Sequence, residues 1–434
     1  MARRYRHLSS AILLGSAGIL SVQTLRAQTP AVPQQTPPPS AISIVPLQTA
    51  PASGEPLTLE AAFARALTSN PLIAAARLKR AIDLAGIEVA GERPNPDAHV
   101  EIERETPKQD FGVALPIELG GKRGRRVAVA QATLATGEAE LGQTIVEIRS
   151  LVRRAYFSRL IAEARFSILD ELRQFATRAR DAAQARFDVG SAPRLEPLQA
   201  QLALAAAENE MAGAQATAQA ARIQLNALLG LPLDANVPLA TTLDAAPTLV
   251  GAAALQLAQA SNAELAVLER QIAQARAKVA LVQALRTPDV TPDVTVTHNS
   301  MPDFMWGWRV AALATIPVFT SHRAAVRVEE ATLAQLNAQH AAVLARVTGD
   351  VTSASALAEA ERLTYVRYRD EIFPQTQEVE RMAEDSYRLG QTGIAALLQA
   401  LQQSRQVRLQ SLQTASDLQT ALSDLERAIG APIP

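Results

Sequence analysis

The chain has 434 residues, with 42 Lys and Arg against 43 Asp and Glu and a formal net charge of -1, so it lacks the concentrated basic surface expected of a nucleic-acid binder. It contains no cysteine, which excludes disulfides, thiolate metal sites and the acylated N-terminal cysteine of a bacterial lipoprotein. Beyond the N-terminal segment, charged or amide side chains interrupt every apolar run before the ~20 residues a membrane helix needs, although a strand barrel remains open because its alternating signal is weak.

Residues 1–27 read as a secretory signal peptide: basic Met1-Ala-Arg-Arg-Tyr-Arg6, apolar Ala11 to Val22, and cleavage expected after Ala27. Residues 28–56 form a Pro-rich leader with few charges, expected to be extended and poorly packed. The folded part is expected to begin near Leu57.

The remaining length exceeds one ordinary core, and internal repetition accounts for it. At an offset near 200, Arg186-Phe-Asp-Val-Gly190 aligns with Ser386-Tyr-Arg-Leu-Gly390, and Gly230 with Gly430. Ser69-Asn70 matches Ser261-Asn262, and Leu115-Pro-Ile117 matches Ile316-Pro-Val318. The spacing predicts a tandem duplication, residues 57–245 and 246–434.

Each repeat reads as a helix, two short strands, a very long helix, a break at glycine and another helix. Lys122 to Val189 has no proline and is rich in Ala, Gln, Arg, Glu and Leu, all good helix formers, which gives a rod of roughly 100 Å. The flanking segments Leu57 to Glu92 and Arg194 to Gly230 are expected to stack end to end along it. In the second repeat the long helix runs from Ala324 to Leu389 with a kink at Pro374, since proline removes a backbone donor. Small apolar residues at Leu151, Ala155, Leu160 and at Leu198, Leu202, Ala205 suit close helix packing. A periplasmic coiled-coil structural protein would explain these helices alone but not the strands.

Period-two alternation marks four strands, about 97–104, 110–118, 292–299 and 306–318. The connections Arg104 to Asp110 and His298 to Met305 are short and polar, so each pair reads as a hairpin with its tip in water. Phe111, Phe304, Trp306 and Trp308 lie near those tips, placed either as an aromatic girdle at the outer interface or as ordinary packing residues. Four strands cannot close a barrel and eight leave little lumen, so three copies with twelve strands are expected.

The repeated order of strand pairs, long helices and glycine breaks resembles the TolC-type outer membrane factor family over essentially all of Leu57 to Pro434. Within it, Leu115-Pro-Ile-Glu-Leu-Gly-Gly-Lys-Arg-Gly-Arg-Arg126 looks most like the CzcC-type heavy-metal branch. The resemblance implies a mainly α fold with a small transmembrane β part: a periplasmic α-barrel of long helical hairpins beneath a trimeric, twelve-stranded outer-membrane barrel. It implies a homotrimer in outer-membrane lipid, a periplasmic adaptor, an inner-membrane resistance-nodulation-division pump and a cargo of heavy-metal cations. Multidrug export or type I secretion is the alternative cargo reading.

The resemblance also places Val189, Gly190, Leu389 and Gly390 at adaptor-docking tips. Family members often carry aspartates six and nine residues after the second tip glycine, where this chain has Ala396 and Gln399; Glu196, six after Gly190, is the remaining candidate for a periplasmic constriction. Lys122, Arg123, Arg125 and Arg126 are expected at the inner barrel rim, either beside lipid phosphates or in a solvated helix start or an intersubunit ion pair. His298, Met301 and Met305 would suit a soft ion, though a surface loop explains them as well. The histidines are dispersed and no HExxH, P-loop or nucleophile elbow occurs, so neither an enzyme nor a cofactor is expected.

Overall fold

A computed structural model describes residues 56–241, 243, 251–301 and 304–433. The signal peptide, the leader and the expected boundary between the repeats lie outside the described residues. The same order of elements occurs twice: α1 (Leu59–Ser69), α2 (Pro71–Gly91), β1 (Asp97–Ile102), β2 (Gln109–Ala114), α3 (Lys122–Asp188) and α4 (Leu195–Leu228), then α5 (Gly251–Ser261), α6 (Ala263–Ala284), β3 (Asp289–Met301), β4 (Phe304–Thr315), α7 (Arg323–Arg367), α8 (Phe373–Arg388) and α9 (Ile394–Ile429).

The first expected helix is in fact two. Asn70 leaves the helical region and accepts from the Leu72 amide through its side chain, while Pro71 opens α2 where no backbone donor is needed. Asn262 caps α6 in the same way through the Glu264 and Leu265 amides. These breaks explain the repeated Ser-Asn pair. Asn70 Nδ2 donates to Leu228 O at 3.3 Å and Ser69 Oγ to Leu229 O at 2.8 Å; Asn262 Nδ2 donates to Ala428 O at 2.8 Å and Ser261 Oγ to Ile429 O at 3.1 Å. Each junction thus caps the carboxyl end of a distant helix, and α2 and α4 both lie along α3.

The second long helix is interrupted by a specific device. A π turn at Tyr368–Ile372 separates α7 from α8, with the Phe373 amide donating to Tyr368 O just before Pro374, whose ring nitrogen has no proton to give. α3 runs from Lys122 to Asp188 with no such interruption.

Three apolar cores hold the helices. Phe63, Val152, Tyr156, Leu225 and Leu229 fill the first, Val347, Val351, Leu418, Leu422 and Ile429 the second. Leu169, Phe175, Ala179, Tyr387, Ile394 and Leu397 fill the third, where the two lower hairpins meet. Between the first two cores, Glu426 is 3 % exposed and receives Arg149 Nε at 2.8 Å and Arg153 Nη1 at 2.9 Å. A buried carboxylate is tolerated only with such partners, so this pair of guanidiniums ties α3 to α9.

The strands form one antiparallel sheet in the order β1-β2-β3-β4. β1 and β2 are shorter than expected, β3 is longer at both ends, and β4 is shifted toward the hairpin tip at nearly the expected length. β1 stops because the Glu103 amide donates back to Lys108 O at 2.9 Å, closing the turn, and Pro94 and Pro96 precede it without donors. Past Ala114, β2 still reaches β3, with Leu115 N to Pro292 O and Ile117 N to Val290 O both at 2.9 Å. Pro317 limits β4 at its far end.

Candidate functional site: a two-faced sheet above two helical tips

Strand alternation and the observed register sort the sheet into two chemically opposite faces. Ile102, Val100, Phe111, Val113, Leu115, Val296, Val294, Val290, Trp306, Trp308 and Val310 share one face, and Ile102 and Trp308 are each 78 % exposed. Such a broad bare apolar surface is not stable in water; it is what a barrel presents to lipid. The opposite face runs in rows across the four strands: Glu101, Asp110, Thr297 and Gly307; then His99, Gly112, Thr295 and Arg309; then Asp97, Ala114, Asp293 and Ala311. On this polar face Arg309 Nη2 reaches over β3 to Asp110 Oδ2 at 3.3 Å, and Thr295 donates to Asp293 Oδ1 at 2.7 Å. His99 lies over Gly112, where an added Cβ would sit 2.1 Å from the imidazole, and brings Nε2 within 3.8 Å of Asp293 Oδ2.

The aromatic residues expected as a girdle do share the apolar face: Phe111, Trp306 and Trp308 are exposed there, and the Phe304 backbone pairs with Met301 near the tip, while its side chain lies outside the described residues. The expected His298, Met301 and Met305 group is divided by alternation. His298 pairs with Trp306 and stacks on it at 4.6 Å on the apolar face, whereas Met305, one residue earlier than Trp306, falls on the other; the Met301 side chain lies outside the described residues. No group of three or more His, Cys, Asp or Glu able to hold a metal occurs among the described residues.

At the junction of sheet and helices three of the four basic residues find partners within the chain. Lys122, buried, donates from Nζ to Asp289 Oδ2 at 2.7 Å. Arg126 holds Glu118 and donates from Nη2 to Glu92 O at 3.0 Å, and Arg123 Nε donates to Gly91 O. The open carboxyl end of α2 and the start of β3 converge on this rim, and cations there complement the helix dipole. Arg125 stays exposed.

At the opposite end both hairpins turn on a glycine. Gly190 and Gly390 have φ of 75° and 74°, the left-handed region open to glycine. The Ser191 amide donates to Arg186 O and the Gln391 amide to Ser386 O, each at 2.9 Å, the six-to-one bond of a Schellman ending. Val189 and Leu389 are bare apolar residues at these turns, 79 % and 68 % exposed. Behind them the halves differ: Phe187 is exposed, while its counterpart Tyr387 is 2 % exposed.

Tyr387 Oη donates to Glu196 Oε2 at 3.2 Å, and Arg186 sits over the Tyr387 ring at 4.9 Å from its centroid. Glu196 is therefore a mostly buried tie between α4 and α8 and not a free inward carboxylate. Its sequence position alone carried no sign of this, because Tyr387 is 191 residues away. Burial pushes the Tyr387 hydroxyl above the ordinary tyrosine range, reinforced by the Glu196 charge. Ala396 is exposed, and Gln399 lines a groove between α4 and α9 with Leu202, Leu398 and Arg405.

Comparison with known proteins agrees with this geometry. Residues 63–231 match the model of the outer membrane efflux protein family, ending where α4 ends. The chain is 28 % identical over 396 residues to the cobalt-zinc-cadmium resistance protein CzcC of Cupriavidus metallidurans, covering 89 % of this chain and 93 % of that protein. Among solved structures it superimposes on the CusC channel with a TM-score of 0.71 and 16 % identity, covering 86 % of this chain and 92 % of CusC. It superimposes on the outer membrane protein VceC of Vibrio cholerae with a TM-score of 0.69 and 18 % identity, covering 86 % and 96 %. A bare apolar sheet face with long helices below it agrees with these likenesses: residues 63–231 are similar to the outer membrane efflux proteins, and the chain has the fold of the solved CusC channel and of the outer membrane protein VceC.

Proposed function

We propose that the chain is the passive, homotrimeric exit duct of a tripartite system that expels heavy-metal cations. The observation that carries the reading is the two-faced sheet with both edges open: among the described residues β1 pairs only with β2, and β4 only with β3. Bare strand edges beside a lipid face have to be paired. The helices below repeat the pattern, since α2, which leads into β1, exposes Leu72, Ile82 and Val89, while α7, which follows β4, exposes Val328. Head-to-tail closure of three copies would pair every edge and give twelve strands, wide enough for a lumen.

Outer membrane efflux channels work with a periplasmic adaptor and a resistance-nodulation-division pump, and a passive duct needs that pump for energy. Val189, Gly190, Leu389 and Gly390 are proposed as adaptor-docking tips, because three copies would present six exposed apolar turns around one mouth. Phe111, Phe304, Trp306 and Trp308 are proposed as the outer girdle, and Lys122, Arg123, Arg125 and Arg126 as the inner rim. For the periplasmic constriction, the structure supports the Tyr387–Glu196 tie in preference to Ala396 or Gln399. The two repeats are proposed to meet near residue 245.

The cargo rests on the likeness to CzcC. Deleting the gene and measuring tolerance to zinc, cobalt, cadmium and copper beside a dye panel tests it. Lost metal tolerance with unchanged dye tolerance is expected; the converse would establish multidrug export. Recovery of the protein in the soluble periplasmic fraction would leave only a coiled-coil structural role.

A further inference from the structure

At the rim an ion pair joins the first repeat to the second within the chain. Lys122, 6 % exposed, donates to Asp289 Oδ2 at 2.7 Å, and the Leu119 amide donates to Asp289 Oδ1 at 3.0 Å. Lys122 opens α3 behind a left-handed cap residue, Gly121 with φ of 70°, and Asp289 opens β3 behind Pro288. Both positions recur in the other repeat. Arg323 opens α7 behind His322, with φ of 51°, at the same spacing after Ile316-Pro-Val318 that Lys122 keeps after Leu115-Pro-Ile117. Asp97 opens β1 behind Pro96, at the same spacing after the capping Asn70 that Asp289 keeps after Asn262. Yet Arg323 and Asp97 are both exposed, and neither side chain has a partner among the described residues. They do not meet in one chain because β1 and β4 are opposite edges of the sheet, roughly 14 Å apart across three strand spacings.

We infer that Arg323 of one copy holds Asp97 of the next, so that the trimer repeats between chains the ion pair that Lys122 and Asp289 make within one. The inference deepens the trimeric duct proposed above and rests on it. In a head-to-tail ring, the step from a second repeat to the following first repeat is the step already taken inside the chain. Charge complementarity selects the occupant: a free guanidinium beside one edge and a free carboxylate on the other fit a second copy, which brings both, and the planar guanidinium suits a carboxylate. The pair also fixes which edge meets which, since two like edges would bring Arg323 to Arg323 or Asp97 to Asp97.

Charge exchange in the full chain tests this, read as the fraction of heat-modifiable trimer in outer-membrane vesicles. Asp97→Arg or Arg323→Asp alone sets like charges against each other at every junction, and each is expected to lower the trimer about ten-fold. The double exchange is expected to restore it, and Arg323→Lys to keep it. Should the single exchanges fail to insert, thermal dissociation of the trimer in the neutral variants decides: Asp97→Asn and Arg323→Gln together are expected to cost no more than the larger loss alone. A double exchange no better than the worse single, or neutral losses that add, would overturn the pair and leave the trimer standing. Loss with Arg323→Asp beside a normal Asp97→Arg would also overturn it and assign Arg323 to lipid phosphate. A wild-type chain that is not trimeric would sink the duct and the pair together.

Discussion

The strand sheet and the helical tips lie at opposite ends of α3 and meet opposite demands. The sheet is unfinished within one chain: its edges are open and its apolar face is bare, and lipid together with the further copies of the proposed trimer would complete it. The tips are finished within the chain: Schellman endings close both turns, and Tyr387, Glu196 and Arg186 bind one hairpin to the other. Assembly is therefore expected to depend on the sheet, and function without assembly defects on the tips.

The strongest way to break this contrast is a charge on the lipid face. Val294→Lys places an ammonium there and is expected to cost about 2–4 kcal/mol per copy near the bilayer midplane, abolishing the oligomer on a heat-modifiability gel. Glu101→Lys, at an exposed position on the opposite face, is expected to assemble normally. Equal behaviour of the two variants would mean that the faces are assigned wrongly.

At the tip, Gly390→Trp combines a left-handed φ with a bulky side chain, and strain of about 1–3 kcal/mol is expected to stay local. Oligomer abundance should be normal while metal tolerance and crosslinking to the adaptor are lost. Full resistance with this variant would remove Gly390 from the docking surface.

A smaller effect is expected from Tyr387→Phe, which deletes one hydrogen bond worth about 1 kcal/mol and frees Glu196. Distance measurements between spin labels on α4 and α8 should show the tips parting while the sheet is unaffected.

The smallest concerns pH. Because the Tyr387 pKa is raised by burial and by Glu196, the folded tip favours the neutral phenol, so its contribution is intact below the ordinary tyrosine value of about 10 and is lost only as pH climbs through the raised value. An ultraviolet titration should therefore show the Tyr387 absorbance step, identified by difference from Tyr387→Phe, above the ordinary tyrosine value. A step at or below the ordinary value would contradict the buried contact with Glu196.

Much of this plan is legible along the chain because it depends on local spacing. Val294-Thr-Val296-Thr and Trp306-Gly-Trp308-Arg-Val310 announce strands by alternation, and Gly190 and Gly390 mark the turns. The break at Asn70 was also present locally, in the Asn-Pro pair, but the helical periodicity running through it hid the change of direction. What stayed hidden depends on distant partners. Lys122 meets Asp289 from 167 residues away, and Glu196 meets Tyr387 from the other half of the chain. Alternation alone likewise says that His298 and Met305 face opposite ways, but only the bulge between His298 and Met301 fixes where the strand turns. The inward rows needed the register of all four strands before their acids could be placed together.

The chain has no cysteine, so the closure of the barrel can be tested on a clean background. One cysteine replaces Val100 on the open edge of β1, and a second is moved residue by residue along the open edge of β4 from Trp306 to Ala312, followed by oxidation in outer-membrane vesicles. The account predicts disulfide-linked species at one or two adjacent registers, rising to three chains and no further, through bonds between β1 of one copy and β4 of the next. Monomers at every register, or linkage that stops at two chains, would contradict the trimeric barrel.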